Sequence, residues 1–282
     1  MIGAGRIVFP VKKISDTLHL YASGDWHLVN KNCAEDRLDA DLATIRDDPA
    51  ARLILMGDLA DWIGPADKRW DAMQLMESLS IRKLADWGQA MEDLVYQKLL
   101  PVRDKILGIM TGNHEAVFEA RNAVQHHARL CQRLGVPDWQ YCALVELCFR
   151  KDFKPHSGCR SYRVYLHHGA GAAASAGGKI NRLVSFMTLA EADLYLVGHV
   201  HEQDVKRMDT IDADTTCTKI VSRKRLGAFT GTYLKTYAPG PASYGERAGY
   251  RPVPLGCTRV EIQPFAHAWH HRENSVTVRT SI

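Results

Sequence analysis

No apolar run in the chain approaches the roughly 18–20 residues that a membrane span needs, so the sequence predicts no transmembrane segment and no membrane partner. The first residues, MIGAGRIVFPVKK, lack a long apolar core and a small-residue cleavage site, and do not read as a secretory leader. None of the seven cysteines (Cys33, Cys131, Cys142, Cys148, Cys159, Cys217 and Cys257) belongs to a C-x-x-C pair, and their number is odd. A disulfide framework is therefore not expected, which points to a reducing, cytoplasmic setting with mostly inert thiols. Charge of one sign is also scarce: 36 Lys and Arg against 32 Asp and Glu leave a net +4, short of the basic stripe of a dedicated nucleic-acid binder. The sequence has no repeat at solenoid periods and no low-complexity linker, so residues 1–282 read as one domain.

At 46% hydrophobic and 24% charged residues, 282 positions are enough for one large core. Five short apolar runs punctuate the first 201 residues: Leu18–Ser23, Arg52–Met56, Lys105–Met110, Tyr162–Leu166 and Asp193–Val197. Each is short and bounded by turn residues, as a buried strand is. Helical spacing lies between them, at Leu38, Leu42 and Ile45, along Leu84, Trp87, Met91, Leu94, Val95 and Leu99, and along Ala120, Val124, His127, Cys131 and Leu134. Strands alternating with helices predict an α/β sheet, mostly parallel at first. After residue 202 the alternation at Val260 and Ile262 and at Val276 and Val278, with Thr and Tyr around Phe229–Tyr237, predicts a second sheet. The excursions 62–104 and 116–160 are candidate insertions forming a small helical cap.

Each apolar run ends in polar residues able to bind metal: Asp25 and His27, then Asp58 and Asp61, then Asn113, His114 and Glu115, then His167 and His168, then His199 and His201. Open α/β sheets bind ligands at the carboxyl ends of their strands, so five adjacent strand ends would deliver these sets to one crevice. Glycines at 24, 57, 112, 169 and 198 let the chain turn sharply there. The D-x-H and H-x-H spacings are expected to put both side chains on one side of an extended segment.

At these residues the chain resembles the calcineurin-like metallophosphoesterase superfamily, whose blocks D-x-H, G-D-x-x-D, G-N-H-[DE], His before Gly, and G-H-x-H occur here in order between residues 24 and 201. The resemblance implies a two-sheet αββα sandwich. It implies one metal ion held by Asp25, His27, Asp58 and His201 and a second held by Asp58, Asn113, His168 and His199, with Asp58 bridging. His114 would face the scissile phosphate without binding metal, and Asp61 would orient it. Two cations roughly 3.5–4 Å apart clamp phosphoryl oxygens and lower the pKa of a bound water from about 15.7 toward about 7. The implied reaction is attack by metal-bound hydroxide with His114 as proton donor, a role worth about 10²–10⁴-fold.

Nitrogen and oxygen donors without cysteine favour manganese, with iron or zinc as alternatives. The second block has no Tyr, unlike purple acid phosphatases, and Asp61 is followed by Trp62 and Ile63 rather than by the Arg-Gly of phosphoprotein phosphatases. The expected substrate is therefore a phosphodiester, nucleotide or nucleic acid. One alternative is a phosphomonoesterase acting on a small molecule or a phosphoprotein. Another is a non-catalytic, metal-stabilised interaction protein, against which the intact His114 and Asp61 argue.

Further expectations concern single features. His167 is read as a neighbour of the site rather than a ligand, and Glu115 as a helix-N-terminal residue. Gly169–Gly178 is read as a loop or flap that brings Lys179 or Arg182 near phosphate. Trp62, Arg69 and Trp70 are read as pocket wall or as cap packing, His126 and His127 as a helix surface, and Tyr244–Pro252 as a loop within reach of the site.

Overall fold

The computed structural model describes residues 3–65, 67–76, 85–152, 159–171, 175–214, 216–240, 242–265 and 276–280. It contains strands β1 (Gly3–Val11), β2 (Leu18–Ser23), β3 (Ala51–Leu55), β4 (Ile106–Ile109), β5 (Cys142–Lys151), β6 (Arg160–His167), β7 (Leu194–Val197), β8 (Val205–Ala213), β9 (Ile220–Phe229), β10 (Gly231–Thr232), β11 (Gly256–Ile262) and β12 (Val276–Thr280). The α-helices are α1 (Glu35–Asp47), α2 (Trp87–Leu99), α3 (Asn113–Asn122), α4 (His126–Leu134), α5 (Ala176–Met187) and α6 (Tyr244–Arg247).

All five apolar runs contain strands, but the strands belong to two sheets. In the first sheet β2, β3 and β4 run parallel, β11 lies antiparallel on the other side of β2, and β10 and β12 both pair with β11. In the second the order is β1-β5-β6-β7-β9-β8, with β6, β7 and β9 mutually parallel. The expectation of five adjacent strands in one sheet is thus corrected. So is the placing of the second sheet after residue 202, since β1 and β5 to β7 already belong to it while β10 to β12 return to the first. Strands buried on both faces are apolar throughout, and nothing in such a run says which sheet it joins.

Alternation along the strands assigns the layers. Leu20, Ala22, Ile54 and Met56 point one way and pack with Val145, Leu147, Val164, Leu166, Leu194 and Leu196 between the two sheets. Tyr21, Leu53 and Leu55 point the other way, onto Leu38, Leu42 and Ile45 of α1 and Met91, Val95 and Leu99 of α2. On the far side of the second sheet, Tyr165, Tyr195 and Val197 meet Leu183, Phe186 and Met187 of α5. The chain is a mixed α/β structure with two packed sheets, covered by helices on both outer faces.

The helical spacing of 84–99 is realised over Trp87–Leu99, and Leu84 lies outside the described residues. That of 120–134 is broken at Ala123, whose φ is +52°, so two helices stand where one was expected. Of the excursion 62–104, the described part holds a 3₁₀ turn at Ala72–Gln74, then α2 and the start of a second 3₁₀ turn. The excursion 116–160 holds most of α3, all of α4, and β5, which is a strand of the second sheet rather than part of a cap. No helix among the described residues is long and apolar enough to cross a membrane.

Candidate metal centre

The strand ends of both sheets meet. Backbone bonds lock the loops after β2 and β3 together: Asp25 N donates to Gly57 O (2.9 Å), and Trp26 N and His27 N both donate to Asp58 O (2.9 and 3.1 Å). From the C-terminal third, Tyr233 N (3.1 Å) and Thr232 Oγ1 (2.8 Å) donate to Asp25 O. Nothing in the sequence points to this contribution, which comes from a threonine hydroxyl at the end of β10, 207 residues downstream, and the backbone N–H that follows it.

The ligand segments are not extended, which corrects the geometry expected of D-x-H and H-x-H. Asp25, His27, Asp58, His199 and His201 have φ of +50°, +51°, +51°, +67° and +54°. This left-handed conformation is costly for residues other than glycine and persists where the surroundings over-determine it. The turn off each strand is so tight that the side chains converge by curling rather than by alternation. Gly57 and Gly112 allow the closest approach: a Cβ on Gly112 would lie 2.1 Å from Asp58 Oδ1 and 2.3 Å from Asp58 N.

Two groups of donor atoms result. In the first, His27 Nε2 and His201 Nε2 stand 3.2 Å apart, and His201 Nε2 is 3.3 Å from Asp25 Oδ1. The Asp61 carboxylate accepts from His27 Nδ1 (3.1 Å), so the Nε2 lone pair points at its neighbour and a proton or a cation must lie between. Asp25 is fully buried; its Oδ2 accepts from His199 N (2.9 Å), while Oδ1 has no hydrogen-bond partner. An orphaned, buried carboxylate oxygen is costly unless a cation faces it.

In the second group, His168 donates from Nδ1 to Met56 O (2.7 Å), which leaves the Nε2 lone pair 3.4 Å from Asp58 Oδ2 and 3.0 Å from Asn113 Oδ1. The Asn113 amide oxygen faces acceptors only, with Asp58 Oδ2 at 3.1 Å and His199 Nδ1 at 2.7 Å. Turning the amide over would put its nitrogen there and close this group without an ion. No such turn relieves Asp25. Asp58 gives Oδ1 to His114 N (2.9 Å), leaving Oδ2 for the cluster. The residues therefore fit a site for cations: Asp25, His27 and His201 form one cluster, Asp58, His168 and His199 a second, with Asn113 beside it.

Electrostatics agree. Burial alone would raise the Asp58 carboxyl, but His168 and His114 hold it well below the usual range. Burial alone would lower His168, but Asp58 and Asp25 push it up to about 10. The carboxylates attract a positive charge strongly enough to draw a proton onto a buried imidazole in the absence of a metal.

His114 lies within reach of His27 and Asp58, and its Nδ1 is hydrogen-bonded to the Asp61 carbonyl and 3.4 Å from Asp61 Oδ1. Asp61 thus orients both His27 and His114, and Asn30 Nδ2, another contributor not read from the sequence, donates to Asp61 Oδ2 (3.1 Å). Glu115 sits at the start of α3, where its two oxygens accept from Leu59 N (2.9 Å), Asp58 N (3.0 Å) and Gly112 N (3.1 Å). Burial raises its carboxyl to about 7. His167 is turned away from the cluster: its Nδ1 accepts from Gly169 N (2.8 Å), its ring packs on Phe186, and burial lowers it to about 4.

Other expected neighbours fall outside the cluster. Trp62 packs on Phe118 and His126, and Trp70 on Trp87, within the helical layer. Arg69 binds Asp67 (2.9 Å), Lys179 is paired with Glu202, and Arg182 lies over the Phe186 ring. Residues 172–174 of the Gly169–Gly178 stretch are outside the described residues. In Tyr244–Pro252, Arg247 reaches Asp71 (3.0 Å) rather than the cluster. His126 and His127 are buried, not on a helix surface, because Glu92 and Asp138 supply partners at 2.9 and 3.1 Å.

Gly112→Ala should lose bound metal while keeping its secondary structure, because the new Cβ displaces the Asp58 carboxylate. Gly177→Ala, whose Cβ would meet nothing within 4 Å, should keep its metal. Elemental analysis of the purified variants decides this, and full metal content in Gly112→Ala would contradict the close packing of Gly112 on Asp58.

No protein family matches the sequence, and no curated protein does. Among solved structures the chain is similar to a conserved uncharacterized protein from Streptococcus pneumoniae described as a predicted phosphoesterase, with a TM-score of 0.33 and 12% identity over 88% of this chain and 84% of that one. It is also similar to GAP50, the anchor in the inner membrane complex of Plasmodium, with a TM-score of 0.46 and 11% identity over 94% of this chain and 84% of that one. Likeness at these scores is distant, and the chemistry of the site is carried by its own side chains.

Proposed function

We propose that the chain is a metal-dependent phosphoesterase with a dinuclear centre on a two-sheet fold of the metallophosphoesterase type, and that it hydrolyses phosphodiesters, nucleotides or nucleic acid among them. The observation that carries this reading is the convergence of seven donor side chains from five strand ends, with Asp25 Oδ1 buried among them without a hydrogen-bond partner among the described residues. Asp25, His27, Asp58 and His201 would hold one ion and Asp58, Asn113, His168 and His199 the other, with Asp58 shared. Two bound divalent cations, manganese suiting the N and O donors, would stabilise the phosphoryl oxygens and supply a nucleophile from water at neutral pH.

The chain's own residues do the rest. His114 Nδ1 is held by the Asp61 carbonyl, which accepts and so fixes the proton on that nitrogen. His114 Nε2 has no protein hydrogen-bond partner among the described residues and is the atom that hands a proton to the leaving oxygen. Glu115 ties the β3 and β4 loops together and keeps His114 at the start of α3 beside Asp58.

Diesters are favoured over monoesters by the state of the nearby cations. Arg69, whose charge acts on Asp58, Asp61 and His114, is bidentate to Asp67, and Lys179 is paired with Glu202. Neither is free to meet the second charge of a monoester dianion. With manganese, kcat/KM should therefore be higher for bis-p-nitrophenyl phosphate than for p-nitrophenyl phosphate. The opposite order with every metal tried would make the enzyme a monoesterase.

A second experiment isolates His114. His114→Ala should keep its metal and lose about 10²–10⁴-fold in rate on substrates with poor leaving groups. It should lose less on p-nitrophenyl esters, whose leaving group hardly needs a proton. Equal slowing of both, or loss of metal, would remove His114 from the role of proton donor.

A further inference from the structure

Away from the strand-end cluster, a third group of donor atoms joins α4 to the chain that follows it. His127 and Cys131 lie one helical turn apart on one face of α4, and both are buried. The helix ends at Gly135, whose left-handed φ of +69° turns the chain back so that Asp138 reaches the same face. His127 Nε2 is 3.1 Å from Asp138 Oδ1 and 3.7 Å from Cys131 Sγ, and the three donor atoms all lie within 4.8 Å of one another.

We propose that His127, Cys131 and Asp138 form a binding site for one zinc-class divalent ion, separate from the strand-end centre and sharing no residue with it. Nitrogen and oxygen at about 2.0–2.2 Å and sulfur at about 2.3 Å around a tetrahedral ion stand roughly 3.3–3.6 Å from one another. His127 Nε2 stands close to that spacing from both partners, and the Cys131 and Asp138 donor atoms lie within 4.8 Å of each other, so side-chain rotation alone can bring the three to one ion. The donor set is softer than that of the strand ends. A thiolate with an imidazole selects zinc or cobalt over manganese, whereas the strand-end donors are nitrogen and oxygen alone. Three protein ligands leave a fourth position, which water can fill from the half-exposed side of Asp138.

Coordination replaces the thiol proton and the second ring proton of His127, which Asp138 favours against the cost of burial, and both leave to solvent with no change of oxidation state. The residues flanking Asp138 are laced to the end of β4: Ile109 N donates to Pro137 O (3.1 Å), Trp139 N to Ile109 O (2.9 Å) and Thr111 N to Gln140 O (2.9 Å). An ion here would clip α4 to the strand end that carries Asn113 and His114.

The test does not depend on the strand-end reading. Full-length protein freed of metal by chelation is titrated with cobalt(II), and the near-ultraviolet sulfur-to-cobalt charge-transfer band is followed. Nitrogen and oxygen ligands give no such band, so the strand-end cluster is silent in it. The expected result is a band that saturates at about one equivalent per chain, is bleached by zinc, persists in Asp58→Asn and is absent in Cys131→Ser. Asp138→Asn, at a partly exposed position, should fold and weaken the cobalt affinity read from the band by at least about 10-fold. No thiolate band at saturating cobalt, a band that survives Cys131→Ser, or an affinity unchanged in Asp138→Asn would overturn the site. If Cys131→Ser does not fold, the Asp138→Asn titration decides alone.

Discussion

Asp25 and Asp58 are almost completely buried, and each gives only one carboxylate oxygen to a backbone N–H, from His199 and His114 respectively. The other oxygen of each is turned toward imidazole nitrogens and the Asn113 amide. Buried carboxylates left in this state are expensive, and a fold carries them where a cation repays the cost. Much of the local structure serves this arrangement. Five of the candidate donor residues hold left-handed backbone, the glycines at 57 and 112 let two loops touch, and strand ends of the two sheets meet there.

Orientation is supplied from outside the ligand set. Asp61 fixes His27 through Nδ1, Met56 O fixes His168 through Nδ1, and in both rings the remaining nitrogen is aimed inward at the other donor atoms. Glu115 accepts from three backbone N–H groups of the β3 and β4 loops, so one carboxylate keeps the two loops in register. Beyond His201, Thr232 Oγ1 and Tyr233 N both donate to Asp25 O and hold the loop after β2 at the edge of the first sheet.

The donor residues were legible because each group of them follows a short apolar run with a glycine at the turn, a pattern that the fold brings into one cluster. The division of the strands between two sheets was not legible, since Leu20 to Ala22 and Leu194 to Val197 are equally apolar and pairing is decided by partners far along the chain. The left-handed turns after the strands were hidden for another reason: Asp and His tolerate φ near +50° better than most residues but adopt it only occasionally, so their presence does not announce it, and tertiary bonds impose it. His126 and His127 were misplaced because their acidic partners, Glu92 and Asp138, come from other segments, and without those partners a histidine reads as surface.

A pair of metal ions matching the buried charge of Asp25 and Asp58 can be seen directly by anomalous diffraction from crystals of the protein loaded with manganese. Two peaks are expected on either side of Asp58, roughly 3.5–4 Å apart, one beside His27 and His201 and one beside His168 and His199. A single peak, or none at these residues in active protein, would contradict the pair.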